Sequence, residues 1–246
     1  MWQVSDKMGK YQRNKGKRVE YDLVYLLRNY GFQAERVPLS GSARAIKGDV
    51  QVFVPIFKVD IDTKSASDIM DMLELFYYLE LTPIDYTTLS LELKARKHIG
   101  FIERTLKNTA ISLFSPYFGE KTYYLLPLNS LLIMHMGKRY KDVLYATYWF
   151  YKRWHTYHEV NYTRFQGISI CQFIKELKAY PINKVPHYLS KWLYQASEER
   201  AILIVKEDRK PFYAVMQGKN LKHPKNWQKI IKQIERLQFV KNNSRI

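Results

Sequence analysis

The chain has 246 residues, 46% of them hydrophobic, and a formal charge of +17 at pH 7 from 40 Lys and Arg against 23 Asp and Glu. That is enough apolar material for one large α/β domain or two small ones, which excludes a disordered chain, and the charge points to a polyanionic partner, nucleic acid first. Cys171, the single cysteine, excludes an intramolecular disulfide and a cysteine-rich zinc site, and neither the polar segment Met1 to Arg18 nor any apolar run has the pattern of a signal peptide or a membrane span, so a cytoplasmic, nucleoid-associated protein without a membrane partner is expected.

Apolar residues at Val19, Leu23, Leu26 and Leu27, with Gly31 following, predict a helix over Arg18 to Tyr30. Phe32 to Pro38 reads as a short strand, and Ser40-Gly41-Ser42 as a turn ahead of Asp49. Val50 to Val54 alternates as a strand, Pro55 interrupts it, and Phe57 to Thr63 resumes as the second arm of a hairpin. Helical patterns follow over Asp68 to Leu81 and Leu89 to Leu106, then apolar runs of strand type within Thr122 to Met134.

Asp142 to Tyr157 is an aromatic helix containing Tyr148-Trp149-Phe150-Tyr151-Lys152-Arg153-Trp154. Its rings read either as stacking surfaces for unpaired bases or as a buried face with a basic outer side. After the Pro181 to Pro186 turn come a helix over Val185 to Ala196 and a buried strand over Ala201 to Val205. A charged turn, Glu207 to Lys210, leads to a returning strand over Phe212 to Met216, and a last helix spans Asn226 to Leu237.

The chemistry is expected in the first hairpin. Side chains alternate along a strand, so Asp62 and Lys64 project on one side, and a fold at about Pro55 would bring Asp49 alongside them. Two carboxylates held together can bind a divalent cation, which neutralises phosphate charge and lowers the pKa of bound water; a nearby ammonium can orient that water or steady the phosphate. Glu20, on the first helix, would supply a third carboxylate. Asp60 shares the face of Asp62, as a further ligand or a solvated edge residue.

The ordered set Lys15-Gly16-Lys17-Arg18-Val19-Glu20, Gly31-Phe32, Ser40-Gly41-Ser42, Asp49 and Asp62-Thr63-Lys64 resembles the PD-(D/E)xK nuclease superfamily, and within it the archaeal-type Holliday junction resolvases. The resemblance implies a restriction-endonuclease-like α/β fold, a mixed central sheet flanked by helices, carrying a mainly helical insertion. It implies catalytic Glu20, Asp49, Asp62 and Lys64, with the three carboxylates holding Mg²⁺, or Mn²⁺ in its place. It also implies a homodimer acting on DNA, branched DNA included, with Lys15, Lys17, Arg18, Ser40, Ser42 and Arg44 as DNA contacts.

The chain departs from the pattern at Gly48, where the motif has proline, and at Asp62, where resolvases usually carry glutamate. A third departure is length, because the helix and strand pair expected soon after the motif lysine come only at Val185 to Met216. The core is therefore expected in two pieces, 11–65 and 185–222, around an inserted helical, aromatic and basic region, 66–184, with 223–246 as a C-terminal helix and tail.

Two other readings stand beside this one. The chain could be a phage-like or mobile-element endonuclease whose insertion recognises the target, or a non-catalytic nucleic-acid-binding protein relying on charge alone. His155, His158 and Glu159 lack a third metal ligand, Cys171 has no neighbouring histidine, and Ser40-Gly41-Ser42 lacks the lysine and strand-to-helix frame of a nucleotide-binding phosphate loop.

Overall fold

The computed structural model describes residues 3–38, 48–58, 82–113, 118–137, 140–161 and 170–221. Helix α1 (Gln3–Asn29) carries the expected stripe, with Leu23 and Leu27 fully buried. Gly31 ends it at φ +83, where its N–H donates to the Arg28 carbonyl at 2.8 Å and the Phe32 N–H donates to the Leu27 carbonyl at 3.0 Å. This paired closure needs a left-handed residue, which glycine adopts without a Cβ clash.

Strands β1 (Gln33–Arg36), β2 (Val50–Ile56) and β3 (Asp85–Arg96) then form an antiparallel meander. Next come α2 (Gly100–Leu106), β4 (Ile111–Ser112), β5 (Tyr123–Pro127), α3 (Leu128–Met136), α4 (Tyr140–Asn161), α5 (Ile170–Glu176) and β6 (Lys178–Ile182). Helix α6 (His187–Glu198) and the hairpin β7 (Ile202–Glu207) and β8 (Phe212–Gln217) follow. The fold is mixed α/β, as expected: an eight-stranded sheet in the order β1-β2-β3-β7-β8-β5-β6-β4. Among the described strands only β3 and β7 pair in parallel.

Helices cover both faces. On one, Leu23, Val24 and Leu27 of α1 and Tyr148, Trp149 and Phe150 of α4 join Val50, Val52, Val54, Leu89, Leu91 and Leu93 in a single cluster. On the other, Phe101 and Ile102 of α2 and Leu189, Trp192 and Ala196 of α6 pack on Leu203, Val205, Tyr213 and Val215. Strands β5, β7 and β8 divide their apolar residues between the two clusters by alternation, the signature of a sheet between helical layers, whereas β2 and β3 give theirs to the first cluster alone.

Several expectations are corrected. Leu89 to Leu106 is not one helix: its first part is β3, and only Gly100 onward is helical. Pro55 does not turn the chain, because β2 runs through it, pairing Pro55 with Tyr86. The Asp49 carbonyl and the Phe57 N–H both bond on the side away from β3, to Val37 and Met136. By alternation Pro55 turns its nitrogen to that same side, where β1 has already ended opposite Phe53, so no ladder bond is lost.

Thr122 to Met134 divides into β5 and α3, and residues 66–184 supply β3, β5 and β6 to the same sheet as β2 and β7. The sheet therefore has no break at those boundaries. The rings of Tyr148, Trp149 and Phe150 are buried, with Trp149 packed on Phe32 and Phe57, so they build the core while Lys152 and Arg153 face out. The segments Asp68 to Leu81 and Asn226 to Leu237 lie outside the described residues. Among the described residues no helix is long and apolar enough to cross a membrane.

Candidate active site

The site begins at a mismatch in strand length. Pairing of β3 with β2 ends at Leu91 opposite Val50, whereas pairing with β7 continues to Arg96 opposite Glu207. Among the described residues, 92–96 therefore have a strand neighbour on one side only. The resulting notch has the β3 edge as its floor.

Asp49 sits at the corner of this notch. Gly48 before it adopts φ +83 with its backbone against Leu91, where a Cβ would come within 3.1 Å of the Leu91 carbonyl oxygen. The Asp49 N–H donates to that carbonyl at 2.8 Å, while the Asp49 carbonyl accepts from the Val37 N–H at 2.9 Å. Its backbone is thus pinned to strands on both sides. The side chain reaches across the end of the ladder, and Oδ2 accepts the Leu93 N–H at 2.9 Å.

On β3, Leu89, Leu91 and Leu93 go into the core, so Ser90, Glu92, Lys94 and Arg96 occupy the opposite face. The Lys94 ammonium donates to Glu92 Oε1 at 2.9 Å, and the two side chains are 26% and 13% exposed. Burial pushes the Glu92 carboxyl above its ordinary pKa; the Lys94 hydrogen bond pulls it down, and the charges of Asp49 and Glu199 push it further up. Asp49 and Glu92 are thus electrostatically coupled carboxylates with an ammonium beside them.

A cleft of about 370 Å³ opens over this edge, lined by Gly16 and Glu20 of α1, by Leu93, Lys94, Ala95 and Arg96 of β3, and by Trp192 of α6. Glu20 faces this cleft from the helix wall but is ion-paired with Arg36 Nε, which raises the Arg36 pKa. Lys17 and Arg18 are exposed on the same helix.

Asp49 and Glu20 therefore border one region, through neighbouring β3 residues. Asp60, Asp62 and Lys64 lie outside the described residues, as do Ser40, Ser42, Arg44 and the side chain of Lys15. Among the described residues there is no group of three or more His, Cys, Asp or Glu side chains that could hold a metal ion. The donor set that is brought together is the pair Asp49 and Glu92. Such a pair fits magnesium, which is commonly held by one or two carboxylates together with substrate phosphate and water.

Glu92 and Lys94 were missed in the sequence although a signal was present. Leu89-Ser90-Leu91-Glu92-Leu93-Lys94 alternates strictly, and Glu92-Leu93-Lys94 repeats the carboxylate-x-lysine spacing with the glutamate that Asp62-Thr63-Lys64 lacks. No known protein family, no curated protein and no solved structure matches this chain.

Proposed function

We propose that the protein is a metal-dependent DNA endonuclease, and that the motif glutamate and lysine are Glu92 and Lys94 rather than Asp62 and Lys64. The observation that carries this reading is the placing of Asp49, bonded to the Leu93 N–H, on the same notched end of β3 as the Glu92–Lys94 ion pair, where the charge of Asp49 acts on Glu92. Bound there, a divalent cation would neutralise the phosphodiester and acidify an attacking water. Asp49 and Glu92 would hold it through oxygen, Asp49 being oriented by the Leu93 N–H. The Lys94 ammonium works against the burial that raises the Glu92 pKa and so favours its charged form, and it would donate to a phosphate oxygen or position water. Glu20, in the cleft wall, is held by Arg36 and would join only if that ion pair opened.

The charge of +17 supports a nucleic-acid substrate. Branched DNA and a homodimer belong to the proposal through the resemblance to resolvases.

The test is cleavage of a plasmid and of a four-way DNA junction with Mg²⁺, Mn²⁺ or EDTA, by the wild type and by Asp49→Asn, Glu92→Gln and Asp62→Asn. Metal-dependent cleavage that is lost in Asp49→Asn and Glu92→Gln, with DNA binding retained, is the expected result. Full activity of Glu92→Gln beside an inactive Asp62→Asn would return the motif to Asp62 and Lys64. Binding without cleavage by the wild type in any metal would leave a non-catalytic DNA-binding protein.

A further inference from the structure

Arg96 ends β3 two residues beyond Lys94, on the same face, and lines the cleft with Lys94 and Glu20. The residue is exposed, yet its guanidinium is held: its carbon lies 4.7 Å from the centre of the Trp192 ring and 5.7 Å from that of Tyr188. The two rings are four residues apart on α6 and 5.0 Å from each other, and Trp192 is itself buried in the second core cluster. Among the described residues the Arg96 guanidinium forms no ion pair. It differs in this from Glu20, Arg36, Glu92 and Lys94, which are paired.

A guanidinium stacked on an aromatic face keeps its N–H donors at the rim of the plane, where they can grip an oxyanion in two-pronged fashion. We propose that Arg96, fixed by Trp192 and Tyr188, is a phosphate-binding residue for the DNA phosphodiester next to the one addressed by Lys94. Two strand positions span about 6.5–7 Å, which is comparable with the spacing of consecutive phosphates on one DNA strand. This inference rests on the nuclease reading for the place of Lys94, but binding can be measured without cleavage.

The experiment uses the full chain and a fluorescein-labelled four-way DNA junction in EDTA, with affinity measured by anisotropy across a salt series. Arg96→Gln should weaken binding roughly tenfold, as loss of one charge-assisted contact does. It should also make the slope of log affinity against log salt shallower by about 0.9, the contribution of one neutralised phosphate. Arg96→Lys should recover the slope and only part of the affinity, because a lysine keeps the charge but not the stacked fork.

Unchanged affinity and slope in Arg96→Gln, with unaltered thermal unfolding, would overturn the proposal, whether or not the wild type cuts DNA. Full recovery of affinity by Arg96→Lys would overturn the role of the stacked geometry. A shallower slope in a protein that proves unable to cleave would keep Arg96 as a phosphate contact while the nuclease reading fails.

Discussion

The two faces of β3 are built from one stretch of chain and obey different rules. Leu89, Leu91 and Leu93 enter a core shared with α1 and α4, where packing fixes each side chain. Glu92 and Lys94, the residues between and after them, are half-buried and held by charge, and Arg96 is exposed and held by stacking. Strand alternation thus lets a rigid apolar face position an electrostatic one without sharing its chemistry. Changes on the two faces should leave different signatures.

The largest contrast is between Glu92→Gln and Leu91→Ala. Glu92→Gln should remove several kcal/mol of transition-state stabilisation, at least a hundredfold in cleavage rate, while thermal unfolding moves little. Leu91, with no exposed surface, should cost about 2–5 kcal/mol of stability when cut to alanine, with cleavage retained below the lowered Tm. Equal losses of stability in both variants would erase the division between the faces.

Next in size is Gly48→Ala, which touches both faces through one backbone position. A Cβ at φ +83 and 3.1 Å from the Leu91 carbonyl oxygen should cost about 1–2 kcal/mol in denaturant unfolding and also slow cleavage by displacing Asp49. Wild-type stability would show that the left-handed turn is not needed.

The smallest effect concerns pH. The raised Glu92 pKa means that the folded state binds a proton more readily than the unfolded chain, so the metal-free protein loses this stabilisation as pH rises from the ordinary glutamate range through the raised value. Metal binding needs the charged carboxylate and competes with its proton, so cleavage at sub-saturating metal should fall as pH drops on the acid side of the profile. Glu199→Gln removes one of the charges that raise the Glu92 pKa, and the acid limb of the pH-rate profile should move to lower pH. An unmoved or upward-shifted limb would detach Glu92 from that titration.

The sequence revealed elements wherever local signals agreed with the tertiary context. The stripe ending at Gly31, the helix before Ala201 and the β7–β8 hairpin were all legible because periodicity and turn residues pointed the same way. Strand β3 was not, since Leu, Glu, Lys, Ala and Arg are good helix formers and only its neighbours β2 and β7 make it extended. That misreading also hid Glu92 and Lys94, because carboxylate-x-lysine has meaning only at strand spacing. Pro55 misled for a related reason, since nothing local reveals on which side of β2 a neighbouring strand has stopped.

The parallel pairing of β3 with β7 has a kinetic consequence. Leu91 aligns with Ile202 and Arg96 with Glu207, so this ladder closes only after the whole intervening chain has been looped out, an entropic penalty that falls before any contact offsets it. Trp192, the far wall of the cleft, belongs to the same late segment. During synthesis from the N-terminus, Asp49, Glu92 and Lys94 all leave the ribosome well before the partner strand that holds β3 in place. A chain stalled before β7 would thus carry every residue of the Asp49, Glu92 and Lys94 constellation and still lack the strand that pairs with residues 92–96.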